Sequence, residues 1–189
     1  MKYSDIYRLY STSQPKDAIH QALREVPVDD SDEQYEDRSP LHLACQYGDT
    51  EGVKILLERD AEPNTKDANG STPIHILGRT SAGCADEDKL KEIAVMLIEQ
   101  GANIPRSAKN TTALIECIRN RHFKMAEAII DSGARVNSTD LNGENVLFGF
   151  CAASGDIRRD IRFAKKELDE SVQYRYPENK IEEIRIRIA

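Results

Sequence analysis

Apolar residues recur three and four positions apart in several stretches of the chain, the period of a helix with one buried face. Val53, Leu56 and Leu57 mark one such stretch. Ile93, Leu97 and Ile98 mark a second, and Met125, Ile129 and Ile130 a third. Each predicts a helix. Ile19, Ala22 and Leu23 predict a weaker one near the start. Gly101 and Gly133 follow two of these helices, where a left-handed residue often closes the last turn. Asp60 stands at that place after the first, where a side chain is less favourable than glycine.

A second family of helices is predicted from their starts. "SPLH" at 39–42 returns 33 residues later as "TPIH" at 72–75. "TALI" at 112–115 returns 33 residues later as "NVLF" at 145–148. Ser39, Thr72, Thr112 and Asn145 lead these quartets, and all four suit an N-cap, whose side-chain oxygen accepts a free backbone N–H. Pro40 and Pro73 follow, at the one helical position that loses nothing by lacking an N–H. "DANG" at 67–70 and "DLNG" at 140–143 carry the Asp-to-Gly pattern of a type I turn. The unit is therefore helix, helix and extended turn.

These residues resemble the ankyrin repeat family, whose pattern runs G-x-T-P-L-H, a small-residue helix, V-x-x-L-L and G-A-D-x-N. "SPLHLACQYGDTEGVKILLERDAEPN" is the fullest match, and the resemblance is strong from about residue 37 to 154. It implies an all-α repeat solenoid of stacked helix-turn-helix units with β-turn or hairpin fingers, forming a single domain. Residues 1–36 read as a degenerate N-terminal capping repeat. Repeats follow at 37–69, at 70–109 with an insertion at 78–88, and at 110–142. Residues 143–189 read as a divergent repeat with an inserted helix.

Three departures stand out. "RTSAGCADEDK" separates the helices of the second copy and is polar and turn-prone, either a tolerated surface loop or a functional one. Arg121 occupies the position of Gly48, so either the turn differs there or Arg121 is modestly strained. Ile157, Ile161, Ala164, Leu168 and Val172 predict one more amphipathic helix, and Ile181, Ile184 and Ile188 a further apolar stripe. Repeat arrays close on a terminal unit with a polar outer face. The stripe before Ala189 thus suggests an array that continues, or an end covered by dimerisation, the chain otherwise being a monomer.

His42 and Cys45, three apart on a helix, raise the question of chemistry. Zinc needs three or four converging ligands, and His75 repeats His42 in a parallel helix rather than converging on it. A cysteine nucleophile needs a base, an orienting group and a pocket, whereas Cys45 and Cys117 occupy small-residue positions that suit burial. The resemblance implies that His42 and His75 hold turns by hydrogen bonds. His20 and His122 have no evident partners and read as surface or packing residues. No phosphate loop, zinc-protease or nucleophile-elbow motif occurs, and no catalytic residue, metal or cofactor is expected.

Composition narrows the partners. Net charge is −7 over 189 residues, with 31% charged and 39% hydrophobic positions. Such a field does not favour nucleic acid. No apolar run spans a bilayer, and the start has no signal-peptide pattern. Cys45, Cys84, Cys117 and Cys151 form no framework, so the expected compartment is the reducing cytoplasm.

The resemblance implies a protein-binding scaffold or adaptor, working through a concave surface of turn tips and first helices. The matching positions of the first copy are Tyr35, Glu36, Arg38, Gln46 and Tyr47. Then come Lys66, Ala68, Asn69, Ser71, Arg79 and Thr80, followed by Lys109, Thr111, Arg119 and Asn120. Leu141, Asn142, Glu144, Ala152 and Ala153 complete the surface. Tyr and Arg dominate binding hot spots, which singles out Tyr35, Tyr47, Arg79 and Arg119. Lys66, Arg79, Lys109 and Arg119 make the middle of this surface basic, which would suit an acidic segment of a partner. A self-assembling structural unit and a thiol-dependent enzyme are the competing readings.

Overall fold

The structure, a computed structural model, describes residues 1–80, 86–103 and 112–134. Eight α-helices run through them: α1 Tyr3–Ser11, α2 Lys16–Glu25, α3 Pro40–Gln46, α4 Thr50–Glu58, α5 Pro73–Gly78, α6 Glu87–Glu99, α7 Ala113–Arg119 and α8 Phe123–Asp131. A single 3-10 turn, Glu33–Tyr35, precedes α3. No β-strand occurs among the described residues. The fourth copy, the amphipathic stretch after it, the stripe before Ala189 and the dimerising end all lie outside the described residues.

The helices stack in two rows. α1, α3, α5 and α7 each pack on the next to form one row, while α2, α4, α6 and α8 form the other. This is the all-α repeat solenoid that the resemblance implies. Leu41, Leu43, Leu56, Ile74, Leu77, Ile93, Leu97, Leu114 and Ile129 fill the seam between the rows and are almost wholly buried. Each such side chain contributes about 1.5–3 kcal/mol when removed from water. Ile19, Ala22 and Leu23 join the same core, which ties the divergent first unit to the array.

The helix starts follow their sequences. The backbone N–H of Ser39 donates to His42 Nδ1 at 3.1 Å, and the Thr72 N–H donates to His75 Nδ1 at 3.4 Å. Thr112 Oγ1 accepts from the Ile115 N–H at 3.2 Å. Each bond satisfies a backbone donor at or beside a helix start. Gly48 and Arg121 both have positive φ, 59° and 64°, so the turn between helices is alike in the two copies. Arg121 thus adopts the left-handed conformation that glycine takes without strain.

The flanks of the expected insertion at 78–88 belong to helices. Gly78 ends α5 and the buried Thr80 follows it. Glu87 and Asp88, polar enough to read as loop, instead open α6. Asp86 Oδ1 accepts from the Asp88 N–H at 3.0 Å, and acidic charge favours the N-terminal end of a helix. Leu90, fully buried one turn later, holds this extension against the core.

Candidate functional site

The first helices and the turns before them make the surface on which the candidate partner-binding residues lie. Its turn at 67–70 is built by Asp67. The Asp67 carbonyl accepts from the Gly70 N–H at 2.8 Å, closing the expected type I turn. Asp67 Oδ1 accepts from the N–H groups of Asn69 at 2.9 Å and Ser71 at 2.7 Å. The Ala68 N–H donates to the Glu36 carbonyl at 2.8 Å, which joins this turn to the preceding one.

His42 fastens the turn to α3. Its Nδ1 accepts from Ser39, so Nε2 carries the hydrogen and donates to the Ser71 carbonyl at 3.0 Å. The imidazole is fully buried, and burial holds its pKa below the ordinary histidine range. His42 is therefore a neutral structural link between successive copies. Cys45 and Cys117 are buried free thiols whose pKa values burial pushes upward, the opposite of nucleophile activation. No cluster of metal-ligating side chains occurs among the described residues. No helix there is long and apolar enough to cross a membrane.

Several expected contact residues also hold the scaffold. The Arg38 guanidinium pairs with Glu36, lies 3.7 Å from the buried Asp67 carboxylate, and donates to Gln46 Oε1 at 2.9 Å. Arg79 Nε sits 3.2 Å from Glu116 Oε1. Asn120 donates its amide hydrogens to the carbonyls of Gly78 at 3.0 Å and Glu116 at 2.9 Å. Ser71 and Thr80 are buried, not displayed. Lys66 and Arg119 are exposed, and Asn69 is half-buried. Lys109, Thr111 and Asn142 lie outside the described residues, as do Leu141, Glu144, Ala152 and Ala153.

Two histidines differ from their expected roles. His20 Nε2 lies 3.0 Å and 3.1 Å from the two carboxylate oxygens of Asp49. His122 is buried and donates from Nε2 to the Thr80 carbonyl at 2.6 Å. Both partners are distant in sequence, which is why neither was visible there.

The aromatic end of the surface was also missed. Tyr3, Tyr7 and Tyr10 share one face of α1 through spacings of four and three. Tyr35 packs on Tyr7 with ring centroids 4.3 Å apart and on Tyr3 at 5.7 Å. Tyr47 stacks on Tyr10 at 4.8 Å, with planes 14° apart. The Tyr10 hydroxyl donates to Asp49 Oδ2 at 2.8 Å. The spacing of the three α1 tyrosines was the available signal.

A family model described as ankyrin repeats (many copies) matches residues 22–77. Neurogenic locus notch homolog protein 1 of Mus musculus is 31% identical over 134 residues, which cover 70% of this chain and 5% of that protein. The transient receptor potential cation channel subfamily A member 1 homolog of Caenorhabditis elegans is 38% identical over 69 residues, covering 36% of this chain and 6% of that protein. Ankyrin repeat protein nuc-2 of Neurospora crassa is 29% identical over 124 residues, covering 65% of this chain and 10% of that protein. The chain thus spans a tenth or less of the length of these relatives.

Proposed function

The chain is built of ankyrin repeats, which in general are protein–protein interaction modules, and we propose that it holds a partner protein on its row of first helices and turn tips. Tyr47 carries this reading. It is 40% exposed, and with Met1 it makes up the large exposed hydrophobic residues among those described. Its ring is held against Tyr10 at the end of α3, so little side-chain entropy is lost when a partner covers it. Lys66, Asn69 and Arg119 continue the surface away from it.

Of the basic positions that would suit an acidic partner segment, Lys109 lies outside the described residues. Arg79 is engaged with Glu116, and Arg38 with Glu36 and Asp67, so these two guanidinium groups offer less than their formal charge. The role fits an adaptor more closely than an enzyme using Cys45, whose buried thiol has no access to a substrate; Cys151 lies outside the described residues. Buried free thiols also suit the cytoplasm as the proposed location.

Photoreactive residues placed at Tyr47 and Lys66, and for comparison at Glu92 and Glu99 on α6, test the reading. Protein adducts in a lysate of the source cells are expected from the first pair and not from the second. Equal yields from both pairs would reject this surface.

A further inference from the structure

We propose that the N-terminal end of the first-helix row docks a basic segment of a protein partner, one carrying arginine or lysine side chains in an extended stretch. The proposal rests on the protein-binding reading above and names the chemistry of the occupant.

Two layers of tyrosine build the place. Tyr3 and Tyr10, almost fully buried, form its floor. Tyr7 and Tyr35, half-buried, and the exposed Tyr47 lie over them. Ring contacts join Tyr7 to Tyr35 and Tyr47 to Tyr10. Aromatic faces carry negative potential and attract a cation placed over them, arginine most readily because its flat guanidinium stacks.

Charge at the edge points to the same occupant. Six carboxylates stand between Asp29 and Asp37, and the cation that follows them, Arg38, is turned to Glu36 and Asp67. Asp30 accepts from the Tyr3 N–H at 2.7 Å and Asp32 from the Gln34 N–H at 2.9 Å, which fixes this run beside the rings. Asp29 and Glu33 remain exposed. An independent sign comes from the floor. The Tyr3 hydroxyl is buried without a hydrogen-bond partner. A backbone carbonyl of an extended segment, not its donor-only arginine or lysine side chains, would complete that hydroxyl. The exposed carboxylates of Asp29 and Glu33 draw a basic segment toward this end and repel an acidic one.

The test uses the full chain and two labelled peptides, one alternating arginine with glycine and one alternating glutamate with glycine, read by fluorescence anisotropy at physiological salt. The arginine peptide is expected to bind and the glutamate peptide to fail. Tyr47→Ala should weaken binding by about fivefold to tenfold with no change in charge. Asp29→Asn with Glu33→Gln, both at exposed positions, should weaken it to a similar degree. Glu92→Gln with Glu99→Gln on α6 should leave it unchanged. Equal weakening by both carboxylate pairs, with no effect at Tyr47, would mean diffuse attraction and overturn the proposal. So would tight binding of the glutamate peptide, or no binding of the arginine peptide. If Tyr47 still yields protein adducts in the lysate while the arginine peptide does not bind, this inference fails and the interaction surface stands. Loss of both removes the two together.

Discussion

Asp49 and His122 hold the same position in their copies, the N-cap of the second helix, and each fastens its copy to the one before it. Asp49 does so as an acceptor, taking the Tyr10 hydroxyl at 2.8 Å and facing His20 Nε2 at 3.0 Å. His122 does so as a donor, to the Thr80 carbonyl at 2.6 Å. The position is thus set by what the preceding unit offers: side chains in one case, a backbone oxygen in the other.

His122→Ala removes that donor and leaves the buried Thr80 carbonyl without it. A buried polar group that loses its partner costs about 1–3 kcal/mol. The urea midpoint of the variant should fall by a corresponding amount, with the slope unchanged. His122→Gln, able to donate from a different reach, should recover part of the loss. An unaltered midpoint in His122→Ala would show that the bond contributes nothing net.

The repeat period and the apolar spacings made the two rows legible in advance, because every copy must bury the same face against its neighbours. Caps and turns were legible for the same reason, since Ser39, Thr72 and the Asp67 turn act through bonds within a few residues. What was not legible acts across copies. Arg79 reads as an exposed cation until α7 brings Glu116 beside it. Asn120 reads as a surface amide until α5 presents the Gly78 carbonyl. The tyrosine patch depends on α1, the 3-10 turn and the end of α3 meeting, and no short window of the chain contains all three.

Gly52 marks the tightest of these meetings. A Cβ there would lie 2.5 Å from Asp49 Oδ2 and 2.9 Å from both the Tyr10 hydroxyl and Leu23 Cδ1. The Asp49 and Tyr10 groups are bonded to each other and cannot both retreat without losing that bond. Gly52→Ala should therefore destabilise the chain by about 1–3 kcal/mol, although alanine is the better helix former. Thermal unfolding followed by circular dichroism measures it. A stabilised variant would mean that the contact between the first unit and α4 is loose.

Asp60 offers a gain instead. Its φ of 61° is left-handed, and Gly101 and Gly133 stand at the matching places with φ of 86° and 91°. Asp60→Gly should relieve the strain of the Cβ and raise stability by up to about 1 kcal/mol. Part of that gain is cancelled by the greater freedom of glycine in the unfolded chain. A fall in the urea midpoint would show that the Asp60 side chain contributes more than its backbone conformation costs.

His42 makes stability depend on pH in a defined direction. Burial holds its pKa below the ordinary value near 6.5, so between the two values the unfolded chain binds a proton that the folded chain does not. The stability that the neutral imidazole contributes is fully present above about pH 6.5 and is lost as pH falls below it. The loss runs at no more than about 1.4 kcal/mol per pH unit for a single proton. Protonation would place a hydrogen on Nδ1, facing the Ser39 N–H that now donates to it, and the cap of α3 would break. Urea midpoints compared between about pH 7.5 and pH 5.0 should drop further for the native chain than for His42→Gln, which has no proton to gain. Equal drops in the two chains would assign the acid sensitivity to other groups and leave His42 a link indifferent to pH.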